Sequence, residues 1–282
     1  MEIIRNIKRM QSSCRKLAAR GKTIGLVPTM GFLHDGHLSL VKIARRHADI
    51  VIATIFVNPA QFAPNEDFSR YPRDEKGDLE KLRRAGTDFV FIPKASDIYP
   101  EDFESAVSVE KITGVLEGES RPGHFRGVTT IVAKLFNITR PDAAVFGMKD
   151  FQQAAVLKRM VIDLNYPIKI IITPTVREKS GLAMSSRNKY FNTEQKKEAV
   201  CLYQALTTAK KMIKREKILR SGILKKRMIH IIKEICPTAE IDYIAFTDMN
   251  TLAPMKSVQP GCVSSLAVRV HGVRLIDNMR LL

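Results

Sequence analysis

Ile24-Gly25-Leu26-Val27-Pro28-Thr29-Met30-Gly31-Phe32-Leu33-His34-Asp35-Gly36-His37 is the stretch on which the reading of the fold turns. Ile24–Val27 is a short apolar run without polar alternation, as expected of a strand covered on both faces. Pro28 and Gly31 end it, and a helical pattern takes over at about 37–48. The same figure recurs along the first two thirds of the chain. Further apolar runs lie at Ile50–Val57, Phe89–Ile92, Ala143–Phe146 and Ile168–Ile172, with helical patterns at about 74–86, 127–139 and 150–163. Strands alternating with helices predict an α/β fold, a parallel sheet of the doubly wound, Rossmann-like class with flanking helices. In such folds ligands sit beyond the carboxyl ends of the strands.

After Val176 the pattern changes. A loop rich in Ser, Arg and Asn (180–192) leads into two basic helical patterns, then Ile241–Thr247 and two strand-like runs, Ser264–Val270 and Val273–Met279. His271-Gly272 between the last two is a candidate hairpin turn. The expected organisation is a Rossmann-like domain over 1–176 and a smaller α+β domain over 177–282.

The chain has 282 residues, 45% apolar and 27% charged, a globular composition. It lacks any apolar run near the roughly 20 residues of a membrane helix. The start carries no secretory apolar core, and Ile3, Ile4, Ile7, Met10, Cys14, Leu17 and Ala18 recur at helical spacing. That predicts an amphipathic helix rather than a transit peptide. Cys14, Cys201, Cys236 and Cys262 are widely spaced with no CxxC pair, which reads as reduced core residues and fits a cytoplasmic location. The net charge is +17, and +9 of it falls between Gln195 and Glu234, with twelve Lys/Arg against three Glu. These cations are threaded through Leu202, Leu206, Ala209, Met212 and Ile213, then Ile223, Leu224, Met228, Ile231 and Ile232. Two amphipathic helices with solvated lysine faces account for this pattern. A nucleic-acid surface would want a series of aromatic residues for bases to stack on, so no nucleic-acid partner is expected.

Five segments can carry chemistry. His34 and His37 lie about 60° apart on a helical face. At a helix N-terminus they add donors to free N–H groups that favour an anion. Surface or core histidines are the plain alternative, and a metal pair would need a third ligand that the sequence does not supply nearby. Gln61, in Asn58-Pro59-Ala60-Gln61-Phe62, can donate and accept at once, although loop glutamines are commonly just solvated. The residues after it, Glu66 to Arg73, either cap the next helix or touch a ligand. Arg121-Pro122-Gly123-His124-Phe125-Arg126 mixes cations with turn formers before a helix, which reads as an anion contact or equally as a cap and turn. Gly147-Met148-Lys149-Asp150 follows a buried strand, with Gln153 one turn into the next helix. Ser180 to Asn188 reads as a linker or as a phosphate-binding loop in which Ser185 and Ser186 donate and Arg187 binds two oxygens.

Taken in order, PTMGFLHDGHLSL, NPAQFAPNEDFSRYPR, RPGHFRGVTTIVAKLFNI and MSSRN resemble the pantothenate synthetase family, over essentially the whole chain. His34-Asp35-Gly36-His37 resembles the HxGH element of the wider nucleotidyltransferase superfamily. The resemblance implies ATP-dependent condensation of (R)-pantoate with β-alanine through a pantoyl adenylate, releasing AMP and pyrophosphate. It implies that Met30, Gly31, Phe32, Leu33, His34, Asp35, Gly36 and His37 contact ATP, with His37 as proton donor. Gly147, Met148, Lys149, Asp150, Val176, Met184, Ser185, Ser186 and Arg187 would contact ATP as well. Gln61 and Gln153 would bind pantoate, with Gln61 bordering β-alanine. It further implies Mg²⁺ on the triphosphate without a dedicated protein site, and a homodimer. Met148 stands where the family usually has Glu or Gln, and Ser180 where Asp is common. The alternative reading is an adenylyltransferase of cofactor biosynthesis that keeps the nucleotide on its product.

Overall fold

The computed structural model describes every residue except Asn65, which lies inside the Asn58–Arg73 stretch. The strands are β1 (Glu2–Ile4), β2 (Ile24–Val27), β3 (Ile50–Thr54), β4 (Phe89–Phe91), β5 (Ala143–Gly147), β6 (Lys169–Thr173), β7 (Glu240–Asp248), β8 (Cys262–Val270) and β9 (Val273–Arg280). The helices are α1 (Ile7–Ala19), α2 (Asp35–Arg45), α3 (Glu75–Arg84), α4 (Ala95–Ile98), α5 (Glu117–Ser120), α6 (His124–Thr139), α7 (Phe151–Asp163), α8 (Thr193–Ala199), α9 (Cys201–Glu216) and α10 (Ser221–Ile235). Two compact units result. One holds Met1–Gly147 with Val156–Pro174, the other Met148–Ala155 with Thr175–Leu282.

In the first unit six parallel strands run in the order β1-β4-β3-β2-β5-β6. Successive side chains of a strand point to opposite faces, and both faces are packed. Ile24, Leu26 and Ile52 join a core with Met10, Val132, Phe136 and Leu157, while Val27, Val51 and Ala53 join a second with Leu40, Val41 and Leu82. This double burial is why apolar residues fill most strand positions. The order reverses at β2, whose neighbours β3 and β5 lead in opposite directions, so ligands are expected beyond the ends of these strands.

The N-terminus departs from the expectation of one helix. Glu2–Ile4 forms an edge strand on β4, and the helix begins only after Asn6, whose side chain accepts from Arg9 N–H at 3.0 Å. Ile3, Ile4 and Ile7 satisfy the helical spacing by coincidence, because a three-residue strand is too short to show its own period.

In the second unit β7-β8-β9 form an antiparallel sheet, covered by α9 and α10. Leu202, Leu206, Ala209 and Ile213 with Leu224, Met228 and Ile232 face that sheet. Ile223 is the exception, about half exposed. Lys210 donates to the Arg280 carbonyl at 2.8 Å, and Lys233 to that of Ala239 at 2.7 Å. His271 and Gly272 both take positive φ (48° and 77°), the two-residue turn expected between β8 and β9. All four cysteines are buried and free. Among the described residues no helix is long and apolar enough to cross a membrane.

Candidate active site

In the first unit the chain leaves β2 into a loop held from below by threonines. Thr29 Oγ1 donates to the Thr54 carbonyl at 2.6 Å, and Gly31 N–H donates back to Thr29 Oγ1 at 3.2 Å. Gly31 (φ 84°) and Phe32 (φ 50°) then reverse the chain. The reversal is clamped by Asp78 of α3, whose carboxylate accepts from Phe32 N–H at 2.6 Å and Leu33 N–H at 2.7 Å. Burial pushes the Asp78 carboxyl up, against the pull of those two donors and Lys81. Lys81 closes the clamp by donating to the Leu33 carbonyl at 2.8 Å.

This arrangement decides which donors α2 offers. The Phe32 and Leu33 N–H groups are committed to Asp78, so the first-turn N–H groups of Asp35 and Gly36 carry the helix's attraction for an anion. His34 occupies the N-cap position and His37 the third residue of α2, with ring centroids 4.1 Å apart. His34 N–H donates to His37 Nδ1 at 3.4 Å, which leaves Nε2 as the protonated nitrogen of a neutral His37 ring.

Gln61 follows β3 in a 3-10 turn, Pro59–Gln61. Its side-chain oxygen accepts from Asn58 Nδ2 at 3.0 Å and its amide nitrogen lies 3.3 Å from Met30 Sδ. Asn58, buried, is itself held by the Tyr99 hydroxyl at 2.8 Å and the Gly127 carbonyl at 3.1 Å. Met30 and Gln61 thus meet where the chain leaves β2 and β3, the first just ahead of the His34–His37 turn. The Gln61 carbonyl accepts from His124 Nδ1 at 2.8 Å and from Arg121 at 3.3 Å. Burial first, then the Arg121 charge, lowers His124 to about 4, so its ring is neutral. Arg121 makes a two-pronged pair with Glu66 at 2.6 and 2.7 Å. Arg121 and the neutral His124 therefore hold the Gln61 turn, and capping of α3 falls to Asp74, which accepts from Gly77 N–H at 3.0 Å. Asn58, Tyr99 and Asp78 carry no distinguishing signal in the sequence beyond their positions in loops and helices, and Glu66, which the sequence offered as a cap or ligand contact, instead pairs with Arg121.

In the second unit Met148–Asp150 form a 3-10 turn. Asn278 of β9 donates from Nδ2 to the carbonyls of Met148 (2.9 Å) and Lys149 (2.8 Å). The Lys149 ammonium lies 3.6 Å from Asp150, and Gln153 stands half-buried in the first turn of α7. The Val176–Asn188 stretch is a folded loop. Val176 and Met184 are bonded at 3.0 Å, and Arg177 pairs with Ala183. Arg177 binds Asp277 with two prongs at 2.6 and 2.9 Å, donates to the Gly181 carbonyl at 3.1 Å, and stacks over Tyr203. Ser180 still holds its turn, accepting from Leu182 N–H at 3.4 Å. Ser185 accepts from Arg187 N–H at 3.3 Å, and Asn188 donates to Glu178 and to the Ala183 carbonyl, both at 3.0 Å.

The sequence profile of the family described as Pantoate-beta-alanine ligase matches residues 2–280. The chain belongs to that family. A pantothenate synthetase of Moorella thermoacetica is 51% identical over 283 residues, covering 100% of this chain and 99% of that protein. One of Caldicellulosiruptor bescii is 49% identical over 279 residues, 99% and 98% of the two chains. The crystal structure of pantothenate synthetase from Thermus thermophilus matches with a TM-score of 0.94 at 40% identity, covering 100% of this chain and 99% of that one. A pantoate-beta-alanine ligase from Francisella tularensis, solved with beta-gamma ATP and beta-alanine, matches with a TM-score of 0.81 at 36% identity, covering 99% and 97%. As a pantoate-beta-alanine ligase, this chain is an enzyme that forms a C–N bond, and pantothenate is the family's product.

Proposed function

We propose that the chain joins (R)-pantoate to β-alanine in two steps. A pantoate carboxylate oxygen attacks the α-phosphorus of ATP, the bond to pyrophosphate breaks, and pantoyl adenylate remains. The β-alanine amine then attacks the acyl carbon, AMP leaves, and the amine proton passes to water. The first step brings two anions together, so donors must offset their repulsion and the charge that grows at phosphorus.

His34 and His37 at the start of α2 carry this reading, since their paired rings and the adjoining N–H groups form a donor set suited to phosphate. His37 Nε2 supplies the hydrogen bond to departing charge, and Met30 to His37 bind ATP, with Phe32 and Leu33 acting through groups other than their N–H. Gln61, its side chain oriented by Asn58, and Gln153 bind pantoate. Gln61 also borders β-alanine. Gly147, Met148, Lys149, Asp150, Val176, Met184, Ser185, Ser186 and Arg187 contact ATP, with Lys149 and Arg187 neutralising phosphate. Mg²⁺ would screen triphosphate charge, held by phosphate oxygens and water rather than by an all-protein cage. The family resemblance supports a homodimer, and the reduced cysteines a cytoplasmic site. Residues 1–176 would hold nucleotide and pantoate, and 177–282 the phosphate-covering loop.

The test is exchange of pyrophosphate into ATP with pantoate present and β-alanine absent. Pantoate-dependent exchange that is lost in His37→Ala is expected, and adding β-alanine should then yield free AMP. No exchange from folded protein would overturn the adenylate, and a product that retains AMP would point to an adenylyltransferase.

A further inference from the structure

A second group of reactive side chains lies wholly within the second unit and has no part in the chemistry above. Glu198 in the last turn of α8, Cys236 at the C-cap of α10 and His271 in the β8–β9 turn converge from three separate elements. Their ligand atoms all lie within 4.8 Å of one another, and His271 Nε2 is 2.7 Å from a Glu198 oxygen. Among the described residues this is the one group of three His, Cys, Asp or Glu side chains arranged this way.

We propose that Glu198, Cys236 and His271 bind a divalent ion of the zinc class, with a water in the fourth position. Sulfur and imidazole together select zinc over magnesium or calcium, which prefer oxygen-only sets. Ligand bonds of about 2.0–2.3 Å put tetrahedral donors roughly 3.3–3.8 Å apart. The 4.8 Å limit on their separations lies within about 1 Å of those values, so binding asks that the Glu198–His271 pair open by roughly half an ångström and that the sulfur draw in by no more than about 1 Å. Cys236 is fully buried, while Glu198 and His271 are partly exposed, so the ion has an entry path and an anchored sulfur. The Thr238 hydroxyl, 3.6 Å from the Cys236 sulfur, supplies an outer partner of the kind that orients metal ligands. On binding, the Cys236 S–H proton is displaced to bulk water and a metal–thiolate bond forms. The ion would staple α8, the end of α10 and the hairpin turn, raising the stability of the unit without touching the ligase loops.

The experiment uses the full chain, stripped with a chelator and titrated with Zn²⁺ alone, then with Co²⁺ as a spectroscopic substitute. One equivalent of Zn²⁺, a raised Tm, and a sulfur-to-cobalt charge-transfer band are expected. Cys236→Ser should abolish that band, and His271→Asn, which suits the turn, should weaken Zn²⁺ by at least about tenfold. Wild-type protein that takes up less than one equivalent overturns the proposal. So does uptake that both variants retain unchanged, since that would assign the ion to His34 and His37 or another group. Circular dichroism of the variants checks that lost binding is not lost folding.

Discussion

Two loops of this enzyme are each tied down by a buried aspartate, but by different means. After β2, Asp78 accepts the backbone N–H groups of Phe32 and Leu33 directly. In the second unit, Asp277 holds Arg177, and the guanidinium in turn holds the Gly181 carbonyl. The first clamp fixes the backbone itself, which suits a loop that must present His34 and His37 in one geometry. The second acts through a long side chain. Its loop keeps its anchor at Arg177, and further along Ser185 accepts locally from Arg187 N–H. A carboxylate can thus fix a loop by satisfying its amides or by anchoring a cation, and the two fail differently when cut.

Removing Asp277 is expected to have the largest effect. Asp277→Ala leaves the mostly buried Arg177 charge without its carboxylate, a loss of about 3–5 kcal/mol. Urea unfolding would read it, and the comparison breaks if the loss is no larger than at Asp78. Next comes the neutral His124 that holds the Gln61 carbonyl. Its folded value is about 4 and its unfolded value about 6.5. The unfolded chain therefore takes the proton first as pH falls. Stability is full above pH 6.5, declines between about 6.5 and 4 by about 3 kcal/mol, and loses no more from this group below that. His124→Gln should flatten that part of the pH–stability curve relative to wild type.

Asp78→Ala strands two N–H groups and should cost about 2–3 kcal/mol, with ligase activity falling further than stability because the His34–His37 loop loosens. Asp78→Asn, which keeps one acceptor oxygen, should retain part of both, and equal losses in the two variants would contradict the clamp. Gly31→Ala is the mildest. Its φ of 84° strains any side chain, and the new Cβ would sit 3.0 Å from Asp78 Oδ2, so about 1–2 kcal/mol is expected by thermal melting.

The family and the order of its loops were legible in the residues. So were the five strands read in the first unit and the hairpin turn at His271-Gly272, because apolar runs and turn formers act within a few positions. β1 was not, since three residues cannot display a strand period. Asn58, Tyr99 and Asp78 were not legible either. Each resembles an ordinary loop or helix residue until its partner, 41 or 46 positions away for Tyr99 and Asp78, is known. The Arg121 segment was read as a candidate anion contact or a turn, and its cation pairs with Glu66 at 55 positions' separation.

By itself the sequence determined the alternation of buried strands with helices, the two-sided core, and which loops leave the strand ends. Those follow from hydrophobic burial, which leaves its period in consecutive side chains. Only the tertiary structure decided which N–H groups of the β2 loop remain for a ligand, and that Glu198, Cys236 and His271 meet. Hydrogen bonds and ligand sets are short-range in space. Their partners lie up to 100 positions apart for Arg177 and Asp277 and 130 for Met148 and Asn278, and only the packing of the sheets brings them together.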